Sequence, residues 1–260
     1  MQKKQNTNIL PKKIVRITHT YKDDEGSNTW YEAFSYNADG TIASIYNSDG
    51  ENTYTLEYSP YEIFAINSNF VNTEKFVLKD GRIIRKIYVE CYWGTDELEY
   101  DEQTIRNIFG DDLVNDDLEY EEHTYTYSGD LLSEIKSVNY DVSFTYHYDG
   151  QNLTKIEFNC DEVGFEIEKC VNTFEYNGQP NNLNVNLLYL FYNELQFCLD
   201  IAGNRNKLLP SYYKVEEEND SGYSLREASI TYVTDANGYI TEIKESGDSF
   251  EIIHTITYED

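Results

Sequence analysis

The sequence predicts an all-β fold, an antiparallel meander of hairpins, and three observations carry that expectation. One short phrase returns along the 260 residues: two aromatic or aliphatic residues two apart, a turn carrying Gly, then two aliphatics three apart. Tyr and Phe number 25 and 12, so large rings supply burial area although only 40% of the residues are hydrophobic. Gly or Asn-Gly recurs at one place in the phrase, where a tight hairpin turn demands positive φ. Self-similarity at a period of about 20 residues reports architecture, not activity.

Taken in order, residues 1–10 form a short polar tail, and Lys13-Ile-Val-Arg-Ile17 reads as a strand. Phe34-Ser-Tyr36 leads through Gly40 to Ile42 and Ile45, Tyr125-Thr-Tyr127 through Gly129 to Leu132 and Ile135, and Phe144-Thr-Tyr146 through Gly150 to Leu153 and Ile156. Ile230-Thr-Tyr232 leads through Asn237-Gly238 to Ile240 and Ile243; Phe76-Val-Leu78 and Phe174-Glu-Tyr176 open looser copies. The first half of each phrase alternates with Thr, Ser, Glu or His, the period-two pattern of a strand with one covered and one wet face. Aliphatics three apart cannot share a face of a regular strand, so either a bulge corrects the register or both faces carry apolar cover.

Three stretches interrupt the phrase: 59–70, 94–122 and 184–213. Tyr54-Thr-Leu56-Glu-Tyr58 is a first half whose second half is replaced by Ser59-Pro60-Tyr61 and an irregular apolar segment to Phe70. The stretch from Gly110 to Glu122 holds seven carboxylates and reads as a loop. The Leu-rich run from Leu187 to Ile201, closed by Gly203 and followed by Pro210, predicts one short helix near 187–201 that plugs or caps the sheet, a pair of buried strands being the alternative. The last strand, Ile252-Ile-His-Thr-Ile-Thr-Tyr258, needs a partner, which Lys13–Ile17 would supply. The expected whole is a single domain over 1–260 with about 12 to 14 strands.

A net charge of −28 repels phosphates and anionic lipid, which argues against nucleic-acid binding and membrane docking. Its plainer role is to keep a Tyr-rich sheet soluble and its edges unpaired. Cys160 and Cys170 could face each other across a hairpin or remain idle thiols. No run of 18 apolar residues suggests a membrane helix, and the start lacks the apolar core of a signal peptide; Met1 is the only Met, which fits a start placed after a removed leader.

The repeated phrase resembles the tyrosine-aspartate repeats of bacterial surface shells. It is closer to a group of secreted Gram-negative lipoproteins of unknown function with a porin-like fold, and Gly203-Asn-Arg-Asn-Lys-Leu-Leu-Pro210 looks like the Gly-Lys-x-x-x-Asn-Leu-Pro turn of that group, with Leu208 where Asn is expected. The resemblance implies a barrel-like antiparallel sheet, export and lipid anchoring upstream of residue 1, at the periplasmic face or cell surface. It implies no activity. Strands that place Glu, Lys, Thr and Ser opposite their aromatics suit water rather than lipid, since a charge at mid-membrane depth costs about 2 to 4 kcal/mol; the expected barrel is not membrane-spanning.

Catalytic chemistry finds no foothold. Four His show no HExxH spacing, no GxSxG elbow or phosphate loop occurs, and Gly110-Asp-Asp-Leu-Val-Asn-Asp-Asp does not alternate as a calcium loop does. His147 reads as a solvated strand residue. No cofactor, metal or catalytic residue is therefore assigned. The aromatic stripe Tyr36, Tyr58, Tyr127, Tyr146, Tyr176 and Tyr232 is either core or a stacking surface, and Trp30 and Trp93, each at a strand end, are the individual candidates for ligand contact. The reading is a non-enzymatic exported binding or interaction protein for a glycan, a peptide or another envelope protein. A purely structural surface module comes second and a carbohydrate-active enzyme third.

Overall fold

The structure, a computed structural model, is described over residues 12–68, 73–89, 120–160, 167–183, 186–192, 196, 199–203, 205–219 and 222–259. Sixteen strands occur among these residues: β1 Ile14–Asp23, β2 Ser27–Tyr36, β3 Ile42–Asn47, β4 Asn52–Tyr58, β5 Glu62–Asn67, β6 Thr73–Lys79, β7 Arg82–Val89 and β8 Tyr120–Ser128. They continue as β9 Leu131–Ser137, β10 Val142–Asp149, β11 Asn152–Cys160, β12 Ile167–Pro180, β13 Leu208–Asn219, β14 Gly222–Thr234, β15 Ile240–Ser246 and β16 Phe250–Tyr258. Each pairs antiparallel with its sequence neighbours, and β1 pairs with β16, so the sheet closes into a barrel.

Alternation decides which side chains enter the barrel. Along β5, Ile63, Ala65 and Asn67 are buried while Glu62, Phe64 and Ile66 alternate with them on the other face. The aliphatics three apart meet on the inner face because a bulge lies between them. Ser35 faces Ser44 but Tyr36 faces Ile42, which leaves Ala43 out of register and turns both Ile42 and Ile45 inward. The same slip leaves out Ser133, Thr154 and Thr241. Their hydroxyls donate to the carbonyls of Thr126, His147 and Val233 at 3.0, 3.1 and 3.4 Å, satisfying acceptors beside the break in the ladder.

Two departures from the sequence expectation concern strand number. Sixteen strands replace the expected 12 to 14, and Glu62–Asn67, expected to be irregular, is a regular strand paired with β4 through Tyr58↔Ile63 and Leu56↔Ala65. Its turn has no Gly: the Ser59 hydroxyl accepts from the Glu62 N–H at 3.0 Å, and the Ser59 N–H donates to the Glu62 carbonyl at 2.8 Å. The pairing of β16 with β1 is the one expected for the last strand, and it forms a hairpin divided between the first and last described strands.

Tyrosine hydroxyls stitch one hairpin to the next. Tyr36 donates to the Ile14 carbonyl, Tyr58 to Ile42, Tyr127 to Ile83, Tyr176 to Leu153, Tyr232 to Pro210 and Tyr258 to Ile240. Each acceptor lies in the neighbouring hairpin, so the polar tip completes a seam, and every ring except that of exposed Tyr58 packs against the core. A typical net gain is about 1 kcal/mol per bond.

The connection from β12 to β13 folds back inside this end of the barrel. Helix α1, Leu187–Tyr192, buries Leu187, Leu188 and Tyr189 in the core; Gln196 is helical too, and Leu199-Asp200 form a turn. This segment plugs the barrel, with Tyr189 edge-on to Phe34 at 6.3 Å between centroids. The Ile83 N–H donates to the Ile201 carbonyl at 3.0 Å, and Gly203 passes so close to β8 and β9 that a Cβ would sit 3.0 Å from the Asp130 carbonyl oxygen. With φ at +97° as well, only Gly suits that position.

The outer face carries charge along the strand lengths. Lys75 pairs with Glu62 at 2.9 Å, Lys155 with Glu157 at 2.9 Å and Lys214 with Glu216 at 3.0 Å. Cys160 and Cys170 are free thiols: Cys170 lies opposite Phe158, not opposite Cys160.

Candidate ligand cavity

The inner wall changes character along the barrel. Near the plugged end the inward positions are apolar, Ile17, Phe34, Ile243 and Ile256 among them. Two residues further on, the same four strands place His19, Glu32, Glu245 and His254 on the same face, with exposures of 5%, 2%, 2% and 3%. Because β15, β16, β1 and β2 are consecutive in the closed sheet, these four side chains meet.

They form one hydrogen-bonded chain. The His19 and His254 Nδ1 atoms are 2.8 Å apart, His19 Nε2 is 3.0 Å from Glu32 Oε2, and His254 Nε2 is 2.7 Å from Glu245 Oε1. The Tyr213 hydroxyl extends it, donating to Glu245 Oε2 at 2.9 Å. Facing Nδ1 atoms at this distance share one proton between them, and each Nε2 faces a carboxylate, so both rings are fixed in orientation. His19 also stacks on Trp30, with ring centroids 5.2 Å apart and planes 9° from parallel. Burial first, then the Glu245 carboxylate, pushes the Tyr213 phenol well up, which keeps it a donor.

This chain forms part of the lining of a cavity of about 270 Å³. Phe174, Phe191 and Tyr213 make an aromatic wall, with ring centroids 6.0 Å apart for the first two and 5.5 Å for the last two. Tyr189 and Leu190 of the plug and Asn172, Val215 and Ile252 of the barrel complete much of the rest. Arg226, on the inward side of β14 two residues beyond buried Ala228, is exposed yet lines the cavity. Its guanidinium carbon lies 5.8 Å from the ring centroids of both Tyr213 and Phe250.

Of the candidates read from sequence, Trp30 borders this cavity. Tyr36, Tyr127 and Tyr232 are seam donors packed against the core, and Tyr146 is buried opposite Ile156; Trp93 lies outside the described residues. His147 is half-buried on the outer face, 2.5 Å from Glu157. Sequence reasoning missed His19, Glu32, Glu245 and His254. Each lies two residues from an inward aliphatic or aromatic residue, so a period-two walk from the repeat would have put them inside.

The barrel defines the class of fold as porin-like. The chain is similar to a porin-like protein from Bacteroides vulgatus, with 14% sequence identity, a TM-score of 0.66, and 95% of this chain and 99% of that one covered. It is likewise similar to a porin-like protein from Bacteroides uniformis, with 15% identity, a TM-score of 0.63, and coverage of 96% and 99%. No protein-family model matches the sequence, and no curated protein does.

Proposed function

We propose that this chain is a non-enzymatic binding protein of the bacterial cell envelope, exported and lipid-anchored, whose ligand site is the cavity inside the barrel. The cavity itself carries the reading: aromatic walls with a few fixed polar groups, in a volume just under the roughly 300 to 1,000 Å³ of drug-sized sites. That size favours a metabolite-sized molecule over a peptide or a glycan chain. Glu245 has both oxygens engaged and Glu32 holds His19, so the polar chain serves better as a rigid wall than as an acid–base pair. Charge along the outer strand faces favours water around the barrel, with attachment to the membrane through a lipid rather than through the strands.

A thermal-shift screen of small metabolites against the wild type and the cavity-filling variant Val215→Phe tests this reading. A ligand at 100 times its Kd stabilises the native state by about 2.7 kcal/mol. The expected result is a set of compounds that raise the wild-type midpoint and leave the variant unmoved. Shifts of equal size in both proteins, or none at millimolar concentrations, would sink it.

A further inference from the structure

We infer that the cavity is selective for small amphipathic carboxylates, with Arg226 as the residue that reads the charge; this rests on the binding role proposed above. Among the described residues, Arg226 makes no ion pair, although the chain carries 48 Asp and Glu. The other charged groups of the cavity are already committed: Glu32 to His19, and Glu245 to His254 and Tyr213. Among the residues that line the cavity, a cationic ligand would have to break that chain to find a partner. An anion finds a guanidinium whose ring contacts leave its N–H fork available, and that fork matches the two oxygens of a carboxylate.

The body of the ligand follows from the neighbours of Arg226. Tyr213 lies beside both the guanidinium and Phe191, and Phe191 touches Phe174, so an apolar or aromatic group extends from the charged head along a continuous aromatic wall. Single negative charge suits the site better than double. Glu217 stands on the same inward face of β13 as Val215, opposite Cys170, whose thiol is pushed up by burial first and then by this carboxylate, and it repels a dianion more strongly. A chain of net charge −28 adds to that discrimination.

Three probes of one shape separate the possibilities: 4-phenylbutyrate, 4-phenylbutanol and 4-phenylbutylamine, titrated against the Trp93→Phe variant so that Trp30 is the only tryptophan. The carboxylate is expected to change Trp30 fluorescence saturably and to bind at least about tenfold tighter than the alcohol, the amine binding weakest. Arg226→Gln should remove that tenfold preference while leaving the alcohol within about twofold, and Lys136→Gln, the same loss of charge on the outer face, should change neither. Equal binding of carboxylate and alcohol, preference for the amine, or an Arg226→Gln loss common to all three probes overturns the selectivity. If none of the three binds while the metabolite screen still yields Val215→Phe-sensitive hits, this inference fails and the binding role stands.

Discussion

Tyr232 shows what a single side chain contributes to this fold. Its hydroxyl donates to the Pro210 carbonyl at 2.7 Å, and burial pushes its phenol up, so it remains a donor across the accessible pH range. Tyr232→Phe keeps the ring and leaves that acceptor unmatched. The expected loss is about 1 to 2 kcal/mol, seen as a lower urea midpoint at unchanged slope. Tyr212 also donates, to Glu227 at 2.5 Å, but on the water side of the same barrel, where solvent replaces a lost partner. Tyr212→Phe should therefore stay within about 0.5 kcal/mol of wild type, and equal losses for the two variants would refute the seam role. The sequence announces this tyrosine through its repeat. It does not announce His19 and His254, whose contact spans 235 positions and exists only because β1 meets β16. A residue on an inward face is legible from alternation; the residue it touches on another strand requires the closed sheet.

At the level of the hairpin, turns and bulges divide the work. Asp80 and Gly81, with φ of 53° and 76°, form the tight turn that joins Lys79 to Arg82, as the Asp-Gly pair predicts. Longer turns use carboxylates instead. Asp39 is held below the usual carboxylate range by the Thr41 hydroxyl and then the Thr41 N–H, and Asp235 by the N–H of Tyr239 and then that of Asn237. A carboxyl whose pKa is lower folded than unfolded stabilises the fold above its unfolded value, about 3.9, and loses that contribution as pH falls through the folded value. The thermal midpoint of the wild type should therefore fall more between pH 5 and about pH 2.5 than that of the Asp39→Asn, Asp235→Asn double variant, measured by circular dichroism over that range. Parallel curves would show that these turns do not couple to acid. The phrase itself is a sound guide to these hairpins, because Gly turns are local signals, while aliphatics three apart leave a bulge or apolar cover on both faces open and only the register shows the bulge. The phrase passes over β5, where Ser59 does the work of Gly and Ala65 and Asn67 stand where larger apolar residues mark the other strands.

Across the whole barrel the repeat is circular, and the chain ends fall inside one of its hairpins. Tyr258 faces Ile14 and Ile256 faces Ile17, with a register slip between Ile14 and Arg16, so these two strands repeat the arrangement of Tyr36 with Ile42 and Phe34 with Ile45. The Glu259 N–H donates to the Lys13 carbonyl at 2.8 Å, just where a turn would begin. Among the described strands closure also leaves no unpaired edge, which removes the usual route to association for a long sheet. If the eighth hairpin is equivalent to the others, its turn and theirs are interchangeable. A circular permutant that joins Glu259 to Lys13 through Asn-Gly and opens between Asp80 and Gly81 should then fold to the same sheet, since the two arrangements differ by short loop closures worth on the order of 1 kcal/mol. Its far-ultraviolet circular dichroism should match the wild type, and its thermal midpoint should lie within about 5 °C. A permutant opened between Thr18 and His19 cuts the strand that carries the buried histidine contact, and it should unfold at a clearly lower temperature or not fold at all. Equal stability of the two permutants would mean that the repeat is a pattern of sequence and not the unit from which the barrel is built.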